Sequence, residues 1–225
     1  MPELPQWFQD VAEYILREGL PVTLKLAAFA IVASTVVGLA LGTLITIHFR
    51  PLRALIRLYI ELWRGLPILV TVLFIYWSAT AEVGSVRLEL SAFMSAAVGL
   101  SLWGSAQVAE ATRGAVQSIP REQHEAAAAL GFGWVGRHAY VIVPQAFRRL
   151  IPPLVGLLVN IVQNTTIAFV IGVSEVLETA NRQFENLTLL GDGHPFAIFG
   201  FVLVIFFLIS FPLTRLAAYL EKRLV

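Results

Sequence analysis

Apolar residues run along this chain in blocks too long for a soluble fold and too continuous for alternating strands. Five blocks stand out: Leu26–Ile47, Gly65–Ala81, Leu90–Ala109, Leu150–Ser174 and Phe196–Thr214. A helix rising ~1.5 Å per residue needs about 20 predominantly apolar residues to cross a hydrocarbon layer of ~30 Å. Each block reaches that scale, and the second extends back through Tyr59. The pattern predicts an all-α polytopic membrane protein with five spans, at about 20–48, 54–80, 88–112, 139–174 and 195–220. All of 1–225 reads as one membrane domain, with longer connections at about 110–149 and 175–195.

The stretch before the first block carries Glu3, Asp10, Glu13 and Glu18. It lacks the positive start and immediate apolar core of a cleavable signal peptide. Pro2, Pro5 and Trp7-Phe8 predict a short amphipathic segment at the membrane interface, where aromatic rings settle.

Composition agrees with insertion in lipid. The 225 residues are 57% apolar and 14% charged, with mean hydropathy +0.76, whereas a soluble domain carries about 25% charged residues. The net charge of +1 argues against a nucleic-acid partner. The absence of cysteine removes disulfides, thiolate metal sites and cysteine nucleophiles. Neither Lys25 nor Lys222 closes a G-x-x-x-x-G-K-[ST] loop, so the chain has no Walker-type cradle for ATP phosphates.

Charge position predicts orientation, because Arg and Lys near span ends stay on the cytoplasmic side. With the N-terminus outside and the C-terminus inside, eleven of the sixteen basic residues are cytoplasmic: Arg50, Arg53, Arg57, Arg113, Arg121, Arg137, Arg148, Arg149, Arg215, Lys222 and Arg223. Only Arg17, Arg87 and Arg182 fall outside, and Lys25 and Arg64 lie in or beside spans.

Enzyme chemistry finds little footing. His48, His124, His138 and His194 show no ligand spacing, and His124-Glu125 fails as H-E-x-x-H because Ala128 stands at the second histidine position. Ser101, Gly104, Ser105 and Ala106 have the spacing of close helix packing in lipid, and no span places a histidine beside them as a base. No catalytic residue and no metal site is expected.

Two polar sets inside the spans matter more. Arg57, Glu61 and Arg64 share a helix face, either as an intrahelical salt-bridge stripe or lining a pathway. Gly65-Leu66-Pro67 follows at once and predicts a kink or a local unwinding. Broken helices at membrane depth are tolerated where they line a cavity. In the fourth span Asn160, Gln163, Asn164, Thr165 and Thr166 should avoid lipid, where an unsatisfied amide costs several kcal/mol. They either join helices or bind a polar solute.

Between the third and fourth spans, in a loop at about 118–136, Pro120, Glu122, Glu125, four alanines and Gly131 predict a short helix. Proline suits its first turn, the acids complement its dipole, and the glycine stops it in the left-handed conformation. A helix of about ten residues is marginal alone in water, so this one is expected to dock on something.

These residues resemble the membrane-spanning permease subunits of ATP-binding-cassette (ABC) importers, specifically the polar amino acid permeases related to the histidine and glutamine systems. That family carries a loop E-A-A, three residues, G, nine residues, I-x-L-P. Here it reads Glu125-Ala126-Ala127, Gly131 and Val141-Ile142-Val143-Pro144. Tyr59-Ile60-Glu61-Leu62-Trp63-Arg64-Gly65-Leu66-Pro67 is similar to the family's Y-x-E-x-x-R-G-T-P, with Leu66 for Thr. Glu110-Ala111-Thr112-Arg113-Gly114, Pro144-Gln145-Ala146 and Gln163-Asn164-Thr165-Thr166-Ile167 resemble further family segments.

The resemblance covers roughly 20–222 and implies the type I ABC importer permease fold, in the bacterial cytoplasmic (inner) membrane. It implies a half-pore that pairs with a second permease subunit, identical or homologous, above two ABC ATPase subunits that bind ATP and Mg. This chain itself would bind no cofactor. An extracytoplasmic solute-binding protein would deliver the solute. Glu125, Ala126, Ala127 and Gly131 would belong to the cytoplasmic coupling helix, while Glu61, Arg64, Gln163, Asn164, Thr165 and Thr166 would line the pathway. Gln163 stands where the family often has Lys, which leans the expected cargo toward glutamate, aspartate or glutamine. An ion-gradient-driven carrier acting alone is the alternative. No internal repeat supports it, and five spans do not divide into equal halves.

Overall fold

The computed structural model describes residues 5–47, 49–80, 90–191 and 193–224. Pro2, Glu3, His48, Ala81, Arg87 and the first residues of the expected third span, 88–89, lie outside the described residues. Among the described residues the chain is helical, in eight segments. These are α1 (Gln6–Leu44), α2 (Arg50–Gly65), α3 (Ile68–Thr80), α4 (Ala92–Gln117), α5 (Arg121–Ala129), α6 (Trp134–Ile171), α7 (Val176–Leu189) and α8 (Pro195–Leu224). α1, α4, α6 and α8 are each long and apolar enough to span a bilayer, and α2 with α3, bent by 104° at their junction, is apolar enough to make a fifth if the pair is counted as one span.

The break falls at Gly65-Leu66-Pro67. Leu66 is extended (φ −86°, ψ 139°), as favoured for a residue before proline. The ends are not left open, since the Leu66 N–H reaches the Leu62 carbonyl at 3.1 Å and the Thr71 N–H reaches Pro67 at 3.0 Å.

Two elements differ from the sequence expectation. The interfacial segment is part of α1, one helix of 39 residues, with a π-helical turn at Ile15–Gly19. The connection at about 175–195 holds α7. This helix starts where the buried Glu175 side chain accepts the N–H groups of Leu177 and Glu178, both at 2.9 Å, the satisfaction of orphan donors that a helix start needs.

Backbone packing divides the chain into two compact units, Met1–Ile31, Pro67–Ser101 and Asn160–Pro212 in the first, and Val32–Leu66, Leu102–Val159 and Leu213–Val225 in the second. In the first unit Val11, Ile15, Val176, Ala180, Ile198, Val202 and Ile205 form a buried apolar cluster. Gly19 makes the fit possible, since a Cβ there would lie 2.3 Å from Thr179 Oγ1 and 2.9 Å from Val176 Cα. The Thr23 hydroxyl accepts the Val176 N–H at 3.0 Å, and the Trp7 ring stacks on His194 at 4.0 Å between centroids.

In the second unit the part of α1 after Ile31 packs on α4 through small residues. A Cβ on Gly38 would stand 2.5 Å from Val108 Cβ and 2.8 Å from the Ser105 carbonyl, and one on Gly42 would stand 2.5 Å from the Ala109 carbonyl. Backbones that approach this closely pack by van der Waals contact, the association available to helices in lipid. The Tyr59 and Ser105 hydroxyls meet at 2.7 Å, so one of the small residues of α4 also receives a polar tie.

These contacts make Gly38→Val destabilising by roughly 1–3 kcal/mol, the cost of overpacking. Gly65→Ala should have a far smaller effect, because nothing lies within 4 Å of the added Cβ. Thermal unfolding of the two variants in detergent tests the contrast. Equal loss in both would mean that the α1–α4 contact is not the tight point.

Candidate functional site

Three places gather the residues that the sequence singles out, and each is built on a helix end or a helix break. The first is α5. Pro120 sits at its N-cap (φ −55°, ψ 145°), where its missing N–H costs nothing. At the other end Gly131 is left-handed (φ 85°), the Gly131 N–H reaches the Ala128 carbonyl at 3.0 Å, and the Phe132 N–H reaches Ala127 at 3.1 Å. This crossed pair is a Schellman closure, which needs a residue free to take positive φ.

Only Ala127 of α5 is buried, while Glu125 and Ala126 are exposed. Arg121 Nε pairs with Glu125 at 2.9 Å, an exposed link of little energetic weight. The inner face is held by Gln145, whose Nε2 donates to Gln123 Oε1 at 3.1 Å and to the Val141 carbonyl at 2.9 Å. Beside it α6 opens with a π-turn, His138–Ile142. The His138 ring lies 4.2 Å from Trp134 and 6.0 Å from His124, centroid to centroid. Burial, His138 and the Arg137 charge hold His124 below the usual histidine range. Leu130, Val135 and Tyr140, each more than 70% exposed, add an apolar rim to the helix, the composition of a docking surface.

The second place is a cleft between α2 and α4, a cavity of about 170 Å³ that includes Arg57, Glu61, Arg64, Glu110 and Arg113 in its lining. Arg113 grips Glu110 with two bonds, at 2.8 and 2.5 Å. Arg64 approaches Glu110 at 3.7 Å and donates to Gln107 Oε1 at 3.3 Å. Arg57, Glu61 and Arg64 therefore do not close an intrahelical stripe. Arg64 turns to α4, and among the described residues Arg57 and Glu61 make no salt bridge. Glu110 and Arg113 are not among the pathway residues that the sequence singles out. The usable signal was an i, i+3 acid–base pair in an apolar helix, where a charge persists only when paired or wetted.

The third place is the polar run of the fourth span. α6 changes from α to 3-10 geometry at Thr165–Ile171 and ends on left-handed Gly172 (φ 76°). The run supplies its own acceptors: Thr165 Oγ1 donates to Val162 at 2.7 Å, Thr166 Oγ1 to Gln163 at 2.9 Å, and Asn164 Nδ2 to Asn160 at 2.8 Å. Thr165 is buried, Asn164 and Thr166 are half-buried, and Gln163 is exposed. Glu61 and Arg64 belong to the second unit and Gln163–Thr166 to the first, so neither unit by itself brings the two sets together.

A Schellman-capped surface helix between two spans, a broken second span and a polar break in the fourth define the membrane-spanning subunit of a type I ABC importer. The chain belongs to the family described as binding-protein-dependent transport system inner membrane components, whose model matches residues 34–225. It is 32% identical over 208 residues to the Escherichia coli K12 inner membrane amino-acid ABC transporter permease protein YhdY, covering 91% of this chain and 55% of that protein. It thus spans about half of that relative's length. The probable glutamine ABC transporter permease protein GlnP of Bacillus subtilis 168 is 32% identical over 208 residues, covering 92% of this chain and 93% of that one.

Among solved structures, a crystal structure of an amino acid ABC transporter with histidines matches with TM-score 0.82 at 25% identity, over 99% of this chain and 100% of the other. The MetNI methionine ABC transporter shares the fold, with TM-score 0.74 at 16% identity over 94% and 96% of the two chains.

The α7 cap generates a pH prediction. Burial pushes the Glu175 carboxyl up to about 7, against the two backbone N–H groups it accepts and with the Glu178 charge adding to the rise. An acid whose folded value lies above its unfolded value binds protons more tightly when folded. Its stabilising contribution is therefore full below about pH 4.5 and is lost as pH rises toward 7, by at most about 3 kcal/mol. Glu175→Gln should flatten the fall in melting temperature between pH 5 and 8. An unchanged profile would show that Glu175 is not the group that titrates.

Proposed function

We propose that this chain forms half of the translocation pathway of a bacterial importer for a polar amino acid, with glutamine, glutamate or aspartate as the cargo. The observation that carries the reading is α5, a surface helix stopped by left-handed Gly131 and flanked by exposed apolar side chains. In this family segment such a helix couples the spans to an ATPase. The amino acid class is supported by relatives named as amino-acid and glutamine permeases.

On this reading two ABC ATPase subunits, carrying ATP and Mg, dock on the face that includes Glu125, Ala126, Ala127 and Gly131. A second permease subunit, identical or homologous, completes the pore, and an extracytoplasmic binding protein loads it. The chain sits in the inner membrane with its N-terminus outside and its C-terminus inside, the orientation that keeps the basic clusters cytoplasmic. Glu61 and Arg64, beside a helix break, and Gln163, Asn164, Thr165 and Thr166, at a change of helix type, meet the polar solute. Broken helices offer a solute unpaired backbone and side-chain groups that intact spans withhold.

Uptake of labelled glutamate, aspartate, glutamine and arginine into vesicles tests this, with and without an ATPase and a binding protein encoded beside the chain. ATP-driven uptake of an acidic or amide amino acid that vanishes without the partners is expected, whereas uptake by the chain alone on an ion gradient would overturn the reading. Gly131→Glu should cut ATP-driven uptake more than tenfold while the spans stay folded, because a side chain at φ 85° strains the closure. Full uptake in that variant would remove α5 from the coupling role. Gln163→Ala with Asn164→Ala should diminish the thermal stabilisation given by saturating solute. An undiminished shift would place the binding groups elsewhere.

A further inference from the structure

A second cavity lies beside the ion-pair cleft, in the same unit and of different chemistry. It encloses about 270 Å³, where one water needs only about 15 Å³. Five basic or potentially basic side chains reach its wall from four helices: Arg53 and Arg57 of α2, Arg113 of α4, His124 of α5 and His138 of α6. The Thr46 and Gln117 side chains add polar groups, and no carboxylate lines it.

The charge is poorly balanced within the protein. Arg113 is neutralised by Glu110 and also donates to Gln117. Arg57 makes no hydrogen bond or salt bridge among the described residues, and the carboxylates nearest to it, Glu61 and Glu110, line the adjoining cleft and not this cavity. Arg53 gives one Nη2 bond to the Ile47 carbonyl at 3.0 Å, and its buried Nε has no acceptor among the described residues. An unsatisfied buried donor carries a real cost, larger on a charged group.

His138 Nδ1 lies 2.9 Å from the Trp134 carbonyl and must donate there. His124 holds a proton less readily than a free histidine, first because it is partly buried and then because His138 and Arg137 lie near it.

We propose that this cavity binds a phosphate-class anion, either the phosphodiester headgroup of an anionic lipid or free phosphate, held by Arg53, Arg57 and Arg113 with His124 and His138. Guanidinium forks pair bidentately with phosphate oxygens. Donors converging from several directions suit a tetrahedral group with many acceptors better than a planar carboxylate. The bound anion ties α5, through His124, to α2 and α4, so the helix assigned above to coupling is braced from its inner side. The site itself rests on the cavity and its charges, not on the importer reading.

The test uses the full chain purified in detergent, with melting temperature and native mass spectrometry as readouts. The probes are short-chain phosphatidylglycerol, short-chain phosphatidylcholine and inorganic phosphate at matched ionic strength. Wild type should be stabilised by several degrees by phosphatidylglycerol or by phosphate, and less by the zwitterionic lipid. Response to phosphatidylglycerol alone identifies the lipid as the source, and response to inorganic phosphate alone identifies the free anion.

Arg57→Gln, at an exposed residue that should not impair folding, is expected to weaken the response at least fivefold, and Arg53→Gln with Arg57→Gln to abolish it. Arg148→Gln, at an exposed arginine outside this cavity, should keep it. No response to either anion, or equal loss in Arg57→Gln and Arg148→Gln, would overturn the site and leave the transport reading untouched.

Discussion

A backbone in hydrocarbon has no water to bond, so each N–H and carbonyl must find its partner inside the protein. That constraint makes the described residues helical and determines where helicity can stop. At Leu66-Pro67 the residues on either side still bond within their own helices, the Leu66 N–H to the Leu62 carbonyl and the Thr71 N–H to the Pro67 carbonyl. At Thr165–Ile171 the chain tightens to 3-10 geometry, and the Val173 N–H closes on the Ala168 carbonyl at 3.2 Å. Glu175 caps α7 and Gly131 closes α5. Polar chemistry gathers at these stops, because an intact helix in lipid has no backbone group left to offer.

Charge obeys a related rule. A guanidinium or carboxylate among apolar spans costs about 2.5–3.5 kcal/mol on insertion scales unless protein or water receives it. Glu110 is the receiver in the second unit, taking Arg113 by two bonds and drawing Arg64 from α2. Arg57 borders both that cleft and the cavity without a carboxylate, and Arg53 borders the latter.

Much of this was legible in the residues. Uninterrupted apolar blocks marked α1, α4, α6 and α8. Gly65-Leu66-Pro67 marked the broken second span, since a proline N–H that does not exist and a restricted preceding residue act locally. Gly131 after four alanines marked the end of α5. α7 was not foreseen, because its start signal is a glutamate whose capping role depends on burial within the first unit. The partner of Arg64 was not legible either. Helix periodicity offered Glu61 three residues away, whereas the structure chose Glu110, 46 residues along the chain.

The sequence alone determined which segments are apolar enough to enter the membrane, where the second span breaks and which family the chain resembles. Those properties follow from local sums of hydrophobicity and from backbone chemistry at single glycines and prolines. Tertiary structure alone decided which charges meet, that Gly19, Gly38 and Gly42 are contact points, and that His124 and His138 share a cavity with three arginines. The physical reason is that a helix presents each side chain to several neighbours. Packing between segments far apart in the chain selects among them, and no spacing rule along one helix records that choice.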